Sequence, residues 1–191
     1  MALLILGLVL FLGVHSLRIF AEDWRGRQIA ARGLNPYKGA YSLASGLGLA
    51  LIVWGYALAR AEPLVLYLPP IWTRHFAAAL MLPAFVLLVA AYLPGNHLKA
   101  RLGHPMLLGI KLWAFAHLLA NGNLADVLLF CGFLAWAILD FRSARQRDRL
   151  AQRRYLAFGW GRDLAVVVAG SAVWAFFLLY AHTWLMGVRP Y

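Results

Sequence analysis

The chain has 191 residues, of which 63% are hydrophobic and 13% are charged, and its formal net charge is +11. Because only about half of the residues in a typical soluble domain are apolar, this composition excludes a water-soluble globular protein and predicts a membrane protein. The basic residues lie between apolar runs, which indicates oriented loops and argues against nucleic acid as a partner. The single cysteine, Cys131, excludes an intrachain disulfide and a cysteine-rich zinc site.

Six apolar segments have, or nearly have, the ~20 residues that a spanning helix needs. They are Ala2–Phe20, Ala40–Ala59, His75–Leu93, Pro105–Ala120, Leu124–Asp140 and Leu164–Met186. No basic stretch precedes the first segment, and His15 interrupts its end, so we expect a retained span rather than a signal peptide. Gly7, Gly46, Gly48 and Gly55 are expected where helices pack closely. The sequence therefore predicts an all-α bundle of about six transmembrane helices, forming one membrane domain over residues 1–191.

Lysine and arginine are distributed unevenly between the two sides of this bundle. The first, third and fifth connections hold most of them, whereas the opposite side holds only Arg60, Arg74 and Arg189. The positive-inside rule then places both termini on the periplasmic side of a bacterial inner membrane. Residues 141–163 form a basic cytoplasmic segment, which begins as an extension of the fifth helix and precedes an additional span at 164–186. We interpret this segment as a topology anchor that touches anionic lipid; a specific acidic partner is the alternative.

His15 and His117 lie deeper inside predicted spans than His75 and His182, which lie near span ends. An ionisable side chain within a span is costly unless it has a partner. A neutral imidazole in an apolar site is best suited to a metal, most often haem iron. His15 lies in the first span, and Arg18, one turn further on, can reach the cytoplasmic interface. We expect both to bind a cofactor, with His15 as a metal ligand. The alternative for His15 is an interhelical hydrogen bond.

His117 shares one face of the fourth span with Trp113 and Asn121, because positions four apart lie on the same side of a helix. We expect His117 to be the second metal ligand, with Asn121 orienting the imidazole and Trp113 walling a planar cofactor. The 1.5 Å rise per residue puts His15 and His117 at depths that differ by about 10 Å, which allows them to pair on one iron without requiring it.

His104 stands just before Pro105, a pattern typical of a helix start. It is either an interfacial residue with a local hydrogen bond or a functional residue. It cannot share an iron with His117 on a continuous helix, because about 20 Å of rise separates them. His97 is expected to be a turn residue. His75 and His182 are expected at an interface, although with His117 they leave a second ligand set open.

Several motifs resemble the NnrU family of bacterial membrane proteins over residues 1–145. They are His15-Ser16-Leu17-Arg18, Trp72-Thr73-Arg74-His75, Leu93-Pro94-Gly95-Asn96 and Gly103-His104-Pro105-Met106 through Ala116-His117. The resemblance implies an accessory role in denitrification, in nitrite or nitric oxide reduction. The spacing from His104-Pro105 to His117 is also similar to that of 15-cis-zeta-carotene isomerase, a membrane enzyme that uses haem b to isomerise a carotenoid.

The resemblance to this isomerase implies haem b as cofactor, His15 and His117 as its ligands and His104 as a catalytic residue. One position departs from the isomerase, which has a cysteine one turn before its second ligand where this chain has Ala114. This departure argues against a ligand switch from histidine to cysteine. If the protein is an enzyme, the resemblance implies a haem-dependent isomerase acting on an apolar polyene.

Two other functions are consistent with the sequence. The first is a non-catalytic assembly subunit of another membrane complex, in which the histidines are structural. The second, less favoured, is a membrane methyltransferase, because the segment from His104 to Gly109 resembles the Arg-His-Pro-x-Tyr-x-Gly element of isoprenylcysteine methyltransferases. Gly103 and Leu107 depart from that element. The expected partners are the lipid bilayer and either an apolar substrate or another membrane complex; the substrate and the oligomeric state are left open.

Overall fold

The computed structural model describes residues 1–190, and these residues form helices joined by short connections. The helices are α1 (Ala2–Phe20), α2 (Glu22–Arg32), α3 (Leu34–Ala61), α4 (Trp72–Tyr92), α5 (His97–Leu102), α6 (Pro105–Ala120), α7 (Leu124–Leu150), α8 (Trp160–Phe176) and α9 (His182–Met186), with a π-helical turn at Phe177–Ala181 between the last two. No strand occurs within residues 1–190, where the β-pairing is one isolated bridge between Val65 and Asn123. The predicted all-α architecture is confirmed.

Five helical segments are long and apolar enough to cross a membrane. They are α1, α3, α4, α7 and the continuous run Trp160–Met186. The sixth apolar helix, α6, has 16 residues and is shorter than the ~20 that a perpendicular span needs. The chain is therefore a multi-pass membrane protein, while the side on which each terminus lies stays a prediction.

Several helices extend beyond the apolar windows that predicted them. The helix α3 begins at Leu34 rather than Ala40, and α7 continues to Leu150, ten residues beyond Asp140. The extension of α7 over residues 141–150 holds four arginines with one alanine, one glutamine and one leucine, all of which favour helix. The helical backbone therefore continues after the apolar run ends. The predicted cytoplasmic extension of the fifth helix is thus confirmed as helix up to Leu150. The polar helix α2 was not predicted, because it has no apolar run.

The chain forms two compact units, and the first comprises Met1–Tyr67 and Asn123–Trp136. In this unit α1 packs antiparallel against α3 through glycines. A Cβ atom added to Gly7 would lie 2.6 Å from the backbone nitrogen of Ile52, and one added to Gly48 would lie 2.8 Å from that of Phe11. Close packing is therefore confirmed at these positions, and at Gly55 against α1. At Gly46 the expectation is wrong, because nothing lies within 4 Å of an added Cβ atom.

The second unit comprises Leu68–Gly122 and residues 137–190, so the two halves of α7 belong to different units. Here α4 packs against both α6 and α8. A Cβ atom on Gly109 of α6 would lie 3.0 Å from the carbonyl oxygen of Ala84, and one on Gly170 of α8 would lie 2.6 Å from the Cα atom of Val86. The indole of Trp174 donates to the carbonyl of Ala78 at 2.9 Å. A single membrane domain over the whole chain stays a prediction.

Candidate functional site

His15 lies in an aromatic environment within the first unit. Its ring stacks on Phe11 with centroids 4.2 Å apart, and the rings of Tyr41 and Trp136 lie 5.3 and 5.9 Å away. Its Nδ1 atom donates to the carbonyl oxygen of Phe11 at 2.7 Å. Because a carbonyl only accepts hydrogen bonds, Nδ1 carries the proton, and in the neutral ring Nε2 carries the lone pair. The bond lies within α1, so the interhelical alternative is wrong for the described residues.

His117, in the second unit, repeats this arrangement. Its Nδ1 atom donates to the carbonyl oxygen of Trp113 at 2.8 Å, and the two rings lie 5.4 Å apart. Again the hydrogen bond makes Nε2 the basic nitrogen of the neutral ring. The side chain of Asn121 donates to the backbone carbonyl of His117 at 2.9 Å, at the end of α6. The predicted Trp-His-Asn face is present, and the Trp113 carbonyl orients the imidazole.

The donor set of these two histidines fits haem iron. An axial imidazole coordinates through one nitrogen while the other donates to a carbonyl or carboxylate that fixes the ring orientation. No group of three or more histidine, cysteine or acidic side chains suited to a metal occurs among residues 1–190. Haem would need only one or two histidines from the protein, because the macrocycle itself supplies the other iron ligands. Because His15 and His117 belong to different units, their pairing on one iron stays a prediction.

A buried polar atom beside His15 lacks a partner. Trp136, whose ring meets that of His15 nearly perpendicularly, has its indole Nε1 buried without a hydrogen-bond acceptor within residues 1–190, and the hydroxyl of Ser45 is buried in the same way. A buried donor without an acceptor costs about 1–3 kcal/mol. Such an atom is explained when a bound group supplies the acceptor, which is consistent with a cofactor or its ligand near His15.

His104, the predicted catalytic residue, bonds to a carboxylate far along the chain. Its Nε2 donates to Asp148 Oδ2 at 2.8 Å, across 44 residues, and Tyr155 donates its hydroxyl to the same oxygen at 3.0 Å. The His104 and Asp148 side chains are 22% and 15% exposed. Burial, together with the hydrogen bond to Asp148, raises the pKa of Tyr155. The expectation that His104 makes a local hydrogen bond is therefore wrong, because its partner Asp148 lies 44 residues away.

Asp148 and Tyr155 were missed by the sequence reasoning. A usable signal existed, because Asp148 is the one acid among the arginines of residues 142–154. The two interpretations of this stretch, a topology anchor and a binding site for an acidic partner, rest on its arginines and leave its acid without a role. In the structure Asp148 accepts a hydrogen bond from His104, the residue just before α6. The arginine-rich end of α7 therefore also makes a structural contact within the second unit.

The remaining predicted residues have structural partners or lie at the surface. His97 is more than a turn residue: its Nδ1 lies 2.6 Å from Asp163 Oδ2, and its ring stacks on Trp160 at 4.7 Å. His75 is exposed, and His182 bonds to the carbonyl of Val188. Within residues 1–190, a ligand set of His75, His117 and His182 is not formed.

Arg18, expected to bind a cofactor, lies in an ion pair at the end of α1. Its guanidinium Nε is 3.8 Å from the carboxylate of Glu22, and its side chain is 56% exposed. This geometry assigns Arg18 a local contact between α1 and α2. Its expected role in cofactor binding stays a prediction.

A buried acid in the first unit was also missed. Asp126 is 2% exposed and accepts a short hydrogen bond from the Tyr56 hydroxyl. Its other oxygen accepts from the backbone nitrogen and the side-chain amide of Asn123, at 3.3 and 3.0 Å. Asn123 precedes α7 by one residue and Asp126 lies in its first turn, so the acid completes half of a capping box. These contacts give the buried Asp126 carboxylate a structural role. The three-residue spacing from Asn123 to Asp126, typical of a helix cap, is the sequence pattern that could have predicted this role.

The comparisons with known proteins identify the family. A family model described as NnrU protein matches residues 3–190. The chain belongs to the NnrU family. The match extends beyond residue 145, where the motifs alone had placed the limit of the resemblance, and includes the sixth apolar segment. No curated protein and no solved structure matches the chain. The multi-pass helical architecture and the histidines of α1 and α6 are thus features of an NnrU family member.

Proposed function

We propose that this NnrU family member binds haem b through the Nε2 atoms of His15 and His117. The observation that carries the proposal is the matched hydrogen bonding of the two rings, each of which donates from Nδ1 to a carbonyl four residues earlier in its own helix. Because Nδ1 carries the proton in this bond, Nε2 is the basic nitrogen of each neutral ring. A bound haem would supply an iron that takes up electrons and small ligands.

The surrounding side chains support an apolar site at each ligand. Phe11, Tyr41 and Trp136 surround His15, and Trp113 flanks His117. These rings give each half-buried imidazole apolar neighbours, as a macrocyclic cofactor with apolar faces requires. The buried indole N–H of Trp136 can donate to an acceptor brought in by the bound group.

We further propose a role in nitrogen-oxide metabolism at the bacterial inner membrane. The support is membership of the NnrU family, because the resemblance to that family implies an accessory role in nitrite or nitric oxide reduction. Cis–trans isomerisation of an apolar polyene is a second possibility that the same haem would serve. It has less support, because Ala114 stands where the isomerase has a cysteine.

The haem proposal is tested by visible spectra of the protein purified in mild detergent after haem-supplemented expression. We expect a Soret band in the wild-type protein and sharpened bands after dithionite reduction. His15→Ala and His117→Ala should each lose or shift these bands. His75→Ala is the matched control, because His75 is exposed, and its spectrum should equal that of the wild type.

The outcomes separate the candidate functions. A folded wild-type protein without a Soret band would overturn the haem proposal and favour the assembly subunit, whose partner should then co-purify. If haem is present, nitric oxide added to the reduced protein should shift the Soret band. Absence of this shift, together with conversion of a cis polyene to its trans isomer, would overturn the nitrogen-oxide role and support the isomerase.

A further inference from the structure

A cavity of about 490 Å³ lies in the first unit among α1, α2 and α3. Its lining includes Leu17 of α1, Trp24, Gln28 and Arg32 of α2, and Tyr37 and Tyr41 of α3. The three residues of α2 are spaced four apart, so one face of this helix forms a wall of the cavity. The volume lies within the range of about 300–1,000 Å³ that is typical of small-ligand sites.

The position of α2 places this cavity at a membrane surface. The helix has 11 residues and connects the end of α1 to the start of α3, two helices long and apolar enough to span the bilayer. The helix α2 is too short and too polar to cross the membrane itself. Short helices that combine aromatic and basic residues lie at the level of the lipid headgroups. The cavity is therefore located where headgroups and the first part of the acyl chains are found.

The charges around the cavity favour an anion. Glu22 forms ion pairs with Arg18 at 3.8 Å and with Arg25 at 3.0 Å. These two arginines compensate its negative charge at the start of α2. Arg32 lines the cavity and makes no ion pair within residues 1–190. Gln28, one turn earlier, adds an amide donor on the same face. An occupant therefore needs an anionic group at Arg32 and an apolar body against the aromatic walls.

We propose that this cavity binds the headgroup of an acidic phospholipid. Arg32 and Gln28 donate to the phosphate, as charge-assisted hydrogen bonds from arginine commonly do. The rings of Trp24 and Tyr37 contact the glycerol and the upper part of the acyl chains, as aromatic residues at the membrane interface do. Tyr41 lines this cavity and also lies 5.3 Å from the ring of His15, so the two sites are neighbours. The contacts proposed for the lipid are made by Arg32, Gln28 and the rings of Trp24 and Tyr37, and none of them requires bound haem.

The test measures the affinity of the detergent-purified protein for phosphatidylglycerol and for phosphatidylcholine with identical acyl chains, by native mass spectrometry. We expect preferential binding of phosphatidylglycerol to the wild type. Arg32→Gln should weaken this binding at least about tenfold, the contribution of one charge-assisted hydrogen bond. Arg32→Lys should restore part of the loss. Arg27→Gln is the matched control, because Arg27 lies on the same helix and does not line the cavity.

A second variant tests the cavity itself. Ala44 lines it, and Ala44→Phe would fill part of the volume while leaving Arg32 in place. We expect this variant to lose phosphatidylglycerol binding while remaining monodisperse. Equal losses in Arg27→Gln and Arg32→Gln would show general surface attraction and overturn the proposal. Equal binding of phosphatidylcholine, or equally tight binding of soluble glycerol phosphate, would overturn it as well, because an acidic lipid would then not be the preferred occupant.

Discussion

His15 and His117 lie within apolar helices and donate to a carbonyl of their own helix, whereas His97 and His104 lie at helix starts and contact carboxylates of distant segments. A carbonyl is neutral, so it selects one tautomer without attracting a charge. A carboxylate carries a negative charge, so the hydrogen bond that it accepts is charge-assisted. The same residue type therefore serves two purposes: the carbonyl-bound rings are suited to a metal, and the carboxylate-bound rings join segments of the second unit.

The largest expected effect separates the two kinds of histidine by haem content. If His117 is an iron ligand, as proposed above, His117→Ala should reduce the haem bound per protein at least about tenfold. His104→Ala should retain haem to within about twofold, because its ring is held by Asp148. The pyridine haemochrome assay on equal amounts of folded protein measures both. If His117→Ala and His104→Ala lose equal amounts of haem, the carbonyl-bound and carboxylate-bound histidines do not differ in haem binding.

The next effect concerns the carboxylate that holds His104. Asp148→Asn keeps the shape of the side chain but removes its charge and weakens the bonds to His104 and Tyr155. We expect the free energy of unfolding to fall by about 1–2 kcal/mol, since the pair is mostly buried. Thermal unfolding in detergent measures the change.

The control for Asp148→Asn is Asp140→Asn, because the contact of Asp140 with Arg147 is longer, at 3.5 Å. We expect its effect to be below about 1 kcal/mol. If Asp148→Asn is no more destabilising than Asp140→Asn, the contact of His104 with Asp148 does not hold this part of the second unit together.

The smallest effect is a pH dependence at Tyr155. Burial and the bond to Asp148 raise the pKa of Tyr155 in the folded state, so its contribution to stability is complete below the unfolded value near 10. The contribution is lost as the pH rises through the folded-state pKa. Tyr155→Phe should cost about 0.5–1.5 kcal/mol at neutral pH, with a difference from wild type that shrinks above pH ~10. Unfolding measured from pH 7 to 11 tests this, and a constant difference would contradict it.

The helical fold was largely predictable, because hydropathy is a local property. The bounds of α1 and α6 match the predicted segments, and the other apolar segments form long helices. The polar helix α2 was missed, because it has no apolar run. The extension of α7 was predicted from its arginine-rich stretch, whereas the start of α3 at Leu34 was missed, because the helix begins before the apolar run does.

The candidate site was predictable only in part. His15 and His117 were recognisable because an imidazole inside an apolar segment is costly unless it has a partner. The contact between His104 and Asp148 joins residues 44 apart, and that between Tyr56 and Asp126 joins residues 70 apart. No local pattern relates such positions, since their distance depends on which helices pack together.

The sequence by itself determined that the chain is a helical membrane protein of the NnrU family, because long apolar segments have few other stable structures in a bilayer. The tertiary structure decided which nitrogen of His15 and of His117 is basic, which acids hold His97 and His104, and where α2 forms a cavity with α1 and α3. These features depend on distances of a few ångströms between segments far apart in the chain, and only the packing of the helices sets such distances.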